Sequence, residues 1–184
     1  MRKIFIILFA AISLNAFSQL PNNFKIEEDV LSIGTDFSLI GINGIIEGSV
    51  FSLTTDFTLT VNGSVNGKSK QSLFSFGTTI TIYDGKNNKI GYIKEELFQS
   101  FGMYSKYTIY DKSDVKIASS TKHELMVTKF NIIDNKGNVI CEISRPAMNF
   151  GGDTWNISFS NSNKYDKMLF IFIPCYKTYR DNEK

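Results

Sequence analysis

Histidine, cysteine and proline are scarce in this 184-residue chain, and each shortage removes a class of chemistry. The one histidine, His123 in Thr121-Lys-His-Glu-Leu125, has no second histidine with which to share a metal, and no Gly-x-Ser-x-Gly elbow accompanies it. It reads as a solvated hairpin residue beside Glu124. The two cysteines are too few for a disulfide scaffold, and they form no Cys-x-x-Cys pair. No glycine-rich loop suits a phosphate; Gly151-Gly152 reads as a turn before the strand that carries Trp155. The three prolines leave the middle of the chain almost free of the residue that breaks central strands. No catalytic residue, cofactor or resident metal is therefore expected. What remains is apolar, 42% hydrophobic and 14% aromatic, which suits one domain with one core and is too hydrophobic for a disordered segment.

The beginning of the chain has its own pattern. Arg2 and Lys3 precede an almost unbroken apolar run over residues 4–14, and Ala16-Phe17-Ser18 places small residues where a signal peptidase cuts. This layout predicts a cleavable signal peptide over residues 1–18, a single domain over 19–184, and a secreted or periplasmic location. The run is too short to span a bilayer, and no cysteine follows it for a lipid anchor. Cleavage changes the formal charge from +2 to zero, with 18 bases against 18 acids. The neutrality is uneven: residues 19–67 carry six acids and one base, and residues 68–184 carry 17 bases and 12 acids. Either the two blocks pair within the fold, or the second leaves a lysine-bearing face open to an anionic surface.

Short β-branched and aromatic runs alternate with Gly, Asn, Asp and Lys turns. They predict strands at 37–42, 45–53, 57–61, 78–83, 90–94, 107–110, 116–120, 129–133, 139–143 and 154–159, with a loop over 63–72. An internal repeat organises the centre. Ile80-Thr-Ile-Tyr-Asp84, Tyr107-Thr-Ile-Tyr-Asp111 and Phe130-Asn-Ile-Ile-Asp134 each end on an aspartate followed by turn residues. Ile90, Ile117 and Ile140 come six positions after it, and then small Gly91, Ala118 and Cys141. Each unit reads as a hairpin with an Asx-type turn. Successive hairpins without intervening helices give an antiparallel meander, and closing it into a barrel removes its edges. The turns offer hard oxygens (Asp84/Asn87/Asn88, Asp111/Asp114, Asp134/Asn135/Asn138), yet none carries the glycine and bidentate glutamate of a calcium loop.

Met168-Leu-Phe-Ile-Phe-Ile173 is apolar at every position, so it must be buried on every side, as a central strand or as a helix threaded through a barrel. This run, the Tyr-Thr-Ile-Tyr-Asp hairpins and the Ile90-Gly-Tyr-Ile-Lys94 return strand resemble the LURP-one-related proteins. That group is kin to the tubby C-terminal domain and the phospholipid scramblases. The resemblance covers residues 78 to about 173 and is thin over 25–61. It implies an all-β fold: an antiparallel barrel of roughly twelve strands, closed around a hydrophobic C-terminal helix. Pro174 departs from a clean version of that helix and predicts a stop or kink there, since an interior proline costs about 3 kcal/mol.

Basic and aromatic residues interleave at Lys86, Lys89, Tyr92, Lys94, Phe98, Phe101, Tyr104 and Lys106. Export argues against nucleic acid, so Lys86, Lys89, Tyr92, Lys94 and Lys106 are candidates for contact with lipid headgroups or an ordinary solvent-facing hairpin. Tubby-type barrels are associated with phosphoinositides and scramblases with lipid movement, but no residue set here matches a phosphoinositide pocket. The expected function is a non-enzymatic module that binds anionic lipid or another envelope component. A structural or protein-interaction module is the alternative, and a lipocalin-like carrier would need a hollow barrel. Cys141 and Cys175 could be bridged after export or remain buried thiols.

Overall fold

The computed structural model describes residues 20–182 except 33, 50–53, 75–76, 99–103, 122, 125–127, 147–151 and 162; at 73, 74, 77, 97, 98, 104, 123 and 124 it describes the backbone alone. Thirteen strands and one helix follow in order: β1 (Asn23–Asp29), β2 (Asp36–Ile40), β3 (Gly44–Gly48), β4 (Asp56–Val61), β5 (Ser64–Phe74), β6 (Gly77–Asp84), β7 (Lys89–Phe98), β8 (Tyr104–Asp111), β9 (Lys116–Ser120), β10 (His123–Glu124), β11 (Lys129–Asp134), β12 (Val139–Ser144), β13 (Thr154–Phe159) and α1 (Met168–Asn182). From β1 to β9, and again from β11 to β13, each strand pairs antiparallel with the next in sequence. β13 returns to β1, and β8–β9–β11 completes a closed ring of twelve, with two-residue β10 set on β8 opposite Ser105 and Tyr104. Closure pairs each of the twelve ring strands on both sides, which removes the open edges of a flat sheet.

The repeat is a physical one. The β6–β7, β8–β9 and β11–β12 hairpins each shift register at the same place, after Ile82, Ile109 and Ile132. The carboxylates of Asp84, Asp111 and Asp134 each accept the amides two and four residues on, between 2.8 and 3.0 Å. Asn87, Asp114 and Gly137, each three past the aspartate, take a positive φ of 67°, 62° and 85°. Hydrogen bonds from the Asn88 and Asn138 side chains hold the Asp84 and Asp134 carboxyls below the usual range. Backbone chemistry alone accounts for aspartate here. Among the described residues, no three ligating side chains come together as for a metal ion.

α1 runs up the lumen. Asp166 Oδ1 caps its first amide at 2.9 Å, and residues 169–178 are buried without a break. Its contacts come from all round the ring. Phe170 packs on Phe159 of β13 with centroids 5.8 Å apart, and Tyr176 packs edge-on against Phe57 of β4 at 4.8 Å. The Tyr176 hydroxyl meets Ser69 of β5 at 3.1 Å and donates to the Thr55 carbonyl at 2.8 Å. Trp155 Nε1 of β13 donates to Thr178 at 2.8 Å. A run rich in β-branched and aromatic residues is helical because a helix satisfies its own backbone where no free strand edge exists.

Three sequence expectations need correction. The helix neither stops at Pro174 nor ends near Ile173: Pro174 lies inside it and the helix continues to Asn182, so Cys175 is within the helix rather than beyond it. Pro174 has no amide to donate to the Phe170 carbonyl, and the burial of residues 169–178 on all sides offsets that lost hydrogen bond. Residues 63–72, expected as a loop, form most of β5. Its inward positions are small, Gly67 and Ser69, because the wide side chains of α1 fill the space; a Cβ on Gly67 would stand 2.6 Å from the Met168 sulfur. β1 falls in a stretch with no expected strand. Only Phe24 and Ile26 alternate inward there, and pairing to β13 and β2 on both sides compensates for the weak propensity of Glu-Glu-Asp.

Candidate functional site

Three of the five basic and aromatic candidates share one patch on the outer wall of β7 and β8. Tyr92 and Tyr110 oppose each other across the strands and stack with centroids 4.7 Å apart and planes 6° from parallel. The Lys89 ammonium stands 4.7 Å from the Tyr92 ring, and that of Lys94 stands 5.7 Å from Tyr92 and 5.4 Å from Tyr110. Such contacts contribute about 0.5–1 kcal/mol each on a surface and hold the ammoniums at fixed positions on the wall. Burial raises the Tyr92 hydroxyl above its ordinary value, and Asp114 adds to this. Lys89 also pairs with exposed Asp114 at 3.3 Å, a contact of little energy in solvent.

Lys106 opposes Glu96 at the other end of the same two strands, and Lys86 sits in the β6–β7 turn with its amide on Asp84. Both lie outside the stack. Phe101 and the side chains of Phe98 and Tyr104 lie outside the described residues. Sequence spacing missed Tyr110 and the companion pair of Lys70 over Tyr83 at 5.9 Å. A signal was available, since Tyr83 and Tyr110 hold the same repeat position, immediately before the aspartate.

The charge asymmetry of the sequence becomes an asymmetry of walls. Lys68, Lys70, Lys89, Lys94, Lys106 and Lys116 alternate outward on β5 and β7–β9, whereas Glu27, Asp29, Asp36, Glu47 and Asp56 do so on β1–β4. Among the described residues none of those five carboxylates forms an ion pair, and of the six lysines Lys89 alone does. The two blocks therefore do not neutralise each other by direct contact.

A second polar cluster closes the lumen where α1 ends. Arg145, just past β12, bridges Asp153 and Asp181, reaching Asp181 at 2.6 Å, and lies over the Trp155 ring at 4.7 Å. Arg180 pairs with Glu95 of β7, which also accepts Ser105 Oγ at 2.6 Å. Lys177, fully buried, stands 3.7 Å from Asp181. Three bases and three acids thus tie the helix to β7, β12 and β13. Arg180 Nε and Asp181 Oδ1 are buried without a partner among the described residues, so the cluster is tightly but incompletely satisfied.

Burial pushes the Lys177 ammonium down to about 8 from an ordinary 10.5; Arg180 and Arg145 add to the shift, and Asp181 and Glu95 oppose it. Below pH 8 both folded and unfolded chains hold the proton, and the folded chain carries the cost of a buried charge. Between about pH 8 and 10.5 the unfolded chain binds more protons, so this residue makes stability rise with pH. Urea unfolding is expected to show wild type gaining on the order of 3 kcal/mol relative to Lys177→Met between pH 7 and 10.5. A constant difference between the two proteins would refute the assignment.

Cys141 and Cys175 are both free and buried in the structure. Cys141 takes an inward position between Ile132 and Phe159, and burial raises both thiols well above their ordinary value. Both are therefore protonated and unreactive near neutrality.

Compared with family models, with curated proteins and with solved structures, the chain finds no match in any of the three.

Proposed function

We propose that this barrel is an exported, non-enzymatic binding module whose lysine–tyrosine wall docks on anionic lipid or another anionic component of the cell envelope. The observation that carries this reading is the Tyr92–Tyr110 stack with Lys89 and Lys94 set over its rings on the barrel's outside. Flat phenols suit the headgroup layer, and ammoniums near an anionic surface contribute about 1 kcal/mol each. The acidic wall on β1–β4 gives the molecule an electrical direction, so an anionic surface meets β5–β9 first. The helix in the lumen supports recognition from outside rather than the hollow-barrel carrier. The residue 1–18 pattern supports export, and the twelve-stranded ring around a C-terminal helix supports the proposed LURP-one-related kinship.

Flotation with vesicles of pure phosphatidylcholine, and of phosphatidylcholine with phosphatidylglycerol, tests the reading. Binding is expected on the anionic vesicles only, to weaken with salt, and to fall by more than about tenfold in Lys89→Glu/Lys94→Glu, which changes four charges on the wall. Equal recovery on both vesicle types would overturn it.

A protein-interaction module is the second reading. Ile40 and Ile45, 45% and 43% exposed on the outer face of β2 and β3, give the acidic wall an apolar centre. A partner captured through Ile45 with no preference for lipid would favour it.

A further inference from the structure

We propose that the mouth of the barrel at the start of α1 is a binding site for a neutral saccharide. A pocket of about 600 Å³ opens there between Leu20 and Asn22 ahead of β1, Asn66 of β5, Asp84 and Ile90 at the β6–β7 turn, and residues 163–168 leading into the helix. That volume lies in the range of small-molecule sites, roughly 300–1,000 Å³. The site is separate from the lysine–tyrosine wall and does not rest on the lipid reading.

The pocket's chemistry selects against charged ligands. Asp84 and Asp166 balance Lys164 and Lys167. The Lys167 ammonium is already engaged by the Leu20 carbonyl and, at 2.8 Å, by Asn22 Oδ1. Both oxygens of Asp84 are taken by its own turn. The first amides of α1 are taken too: Met168 N by Asp166 Oδ1, Leu169 N by the Asp166 carbonyl and Phe170 N by the Lys167 carbonyl. The helix start therefore offers no cradle for an anion.

What is left over is mixed. Asn66 Nδ2, the Tyr165 hydroxyl, the second Asp166 oxygen and the Lys164 ammonium have no partner among the described residues, since Asn66 uses only its oxygen, on the Val61 amide at 3.1 Å. They supply donors and acceptors together, as hydroxyl groups that both donate and accept require. Ile90, Met168 and the Tyr165 ring provide apolar surface for the C–H face of a sugar ring. Met168 keeps its place in the pocket wall because Gly67 behind it has no side chain; a Cβ there would stand 2.6 Å from the Met168 sulfur.

Nitrogen-15 NMR titration tests this with maltotriose and N,N′-diacetylchitobiose as neutral probes, and glucose 6-phosphate and glucosamine as charged ones. At least one neutral probe is expected to shift the amides of Asn66, Ile90, Tyr165 and Met168, equally at low and high salt. Asn66→Ala/Tyr165→Ala is expected to weaken that binding about tenfold, the loss of two hydrogen bonds. Tyr165→Ala alone, checked by its thermal transition, guards against a folding defect in the double variant. Silence with both neutral probes, tighter binding of either charged one, or shifts on the lysine–tyrosine wall instead would each overturn the proposal. Vesicle flotation remains the separate test of the lipid reading.

Discussion

A chain ended at Lys167 is expected to lose cooperative unfolding altogether. α1 contributes Leu169, Phe170, Ile171, Phe172, Ile173, Cys175 and Tyr176 to the core. Burying side chains of this size stabilises by about 1.5–3 kcal/mol each, so together they match or exceed the net stability of a typical domain, about 5–15 kcal/mol. The strands cannot compensate by collapsing inward. Their lumen positions at Gly67, Ser69, Gly91 and Ala118 are too small to meet across the space, and at Gly91 an added Cβ would already stand 2.7 Å from Leu169. Thermal melting followed by near-ultraviolet circular dichroism reads the outcome. A truncated chain that still melts in one sharp transition would show that the barrel stands without its helix. The milder Phe172→Ala is expected to cost about 3–5 kcal/mol, as large cavities in well-packed cores do.

The second large effect belongs to Glu95. Its carboxylate, 7% exposed, is the partner of Arg180 and also accepts Ser105 Oγ. Glu95→Ala leaves a guanidinium in the lumen beside Tyr107 with its counter-ion gone, a loss of about 3–5 kcal/mol. Arg180→Met in the same background removes the stranded charge and is expected to restore most of that loss, because uncharged pairs often replace buried ion pairs at little cost. Chemical denaturation of the two single variants and the double variant closes the cycle. Additive losses would show that the pair is not coupled.

The hairpin repeat shows how far the residues could be read forward. Alternation and the Asp-led turns predicted the six hairpin strands, because each hairpin is local and its turn chemistry lies in the sequence. The bounds of β6, β9, β11 and β12 came within a residue, and β7 and β8 fell three or four residues short at the end away from the turn. Strands β1 and β5 were less legible. Their pattern depends on partners distant along the chain: β1 is held by β13, and the inward face of β5 is small because Met168 and Tyr176 come against it. Pro174 misled for a related reason, since helix propensity says little about a segment enclosed on every side. Of the candidate surface, Lys89, Tyr92 and Lys94 were visible as interleaved basic and aromatic residues. Tyr110 and the Lys70–Tyr83 pair needed the register of neighbouring strands. The polar cluster around Lys177 was not legible, since its members stand at 95, 145, 153, 177, 180 and 181 and only the closed barrel brings them together.

A lumen filled by α1 is what directs the proposed recognition to the outer wall and the mouth. Nuclear Overhauser contacts from α1 test this most directly. Contacts are predicted from Tyr176 to Phe57, from Leu169 to Gly91, from Phe170 to Phe159 and from Thr178 to Trp155, linking one helix to separated walls of the ring. Contacts confined to a single wall, or helix resonances at random-coil values, would contradict it.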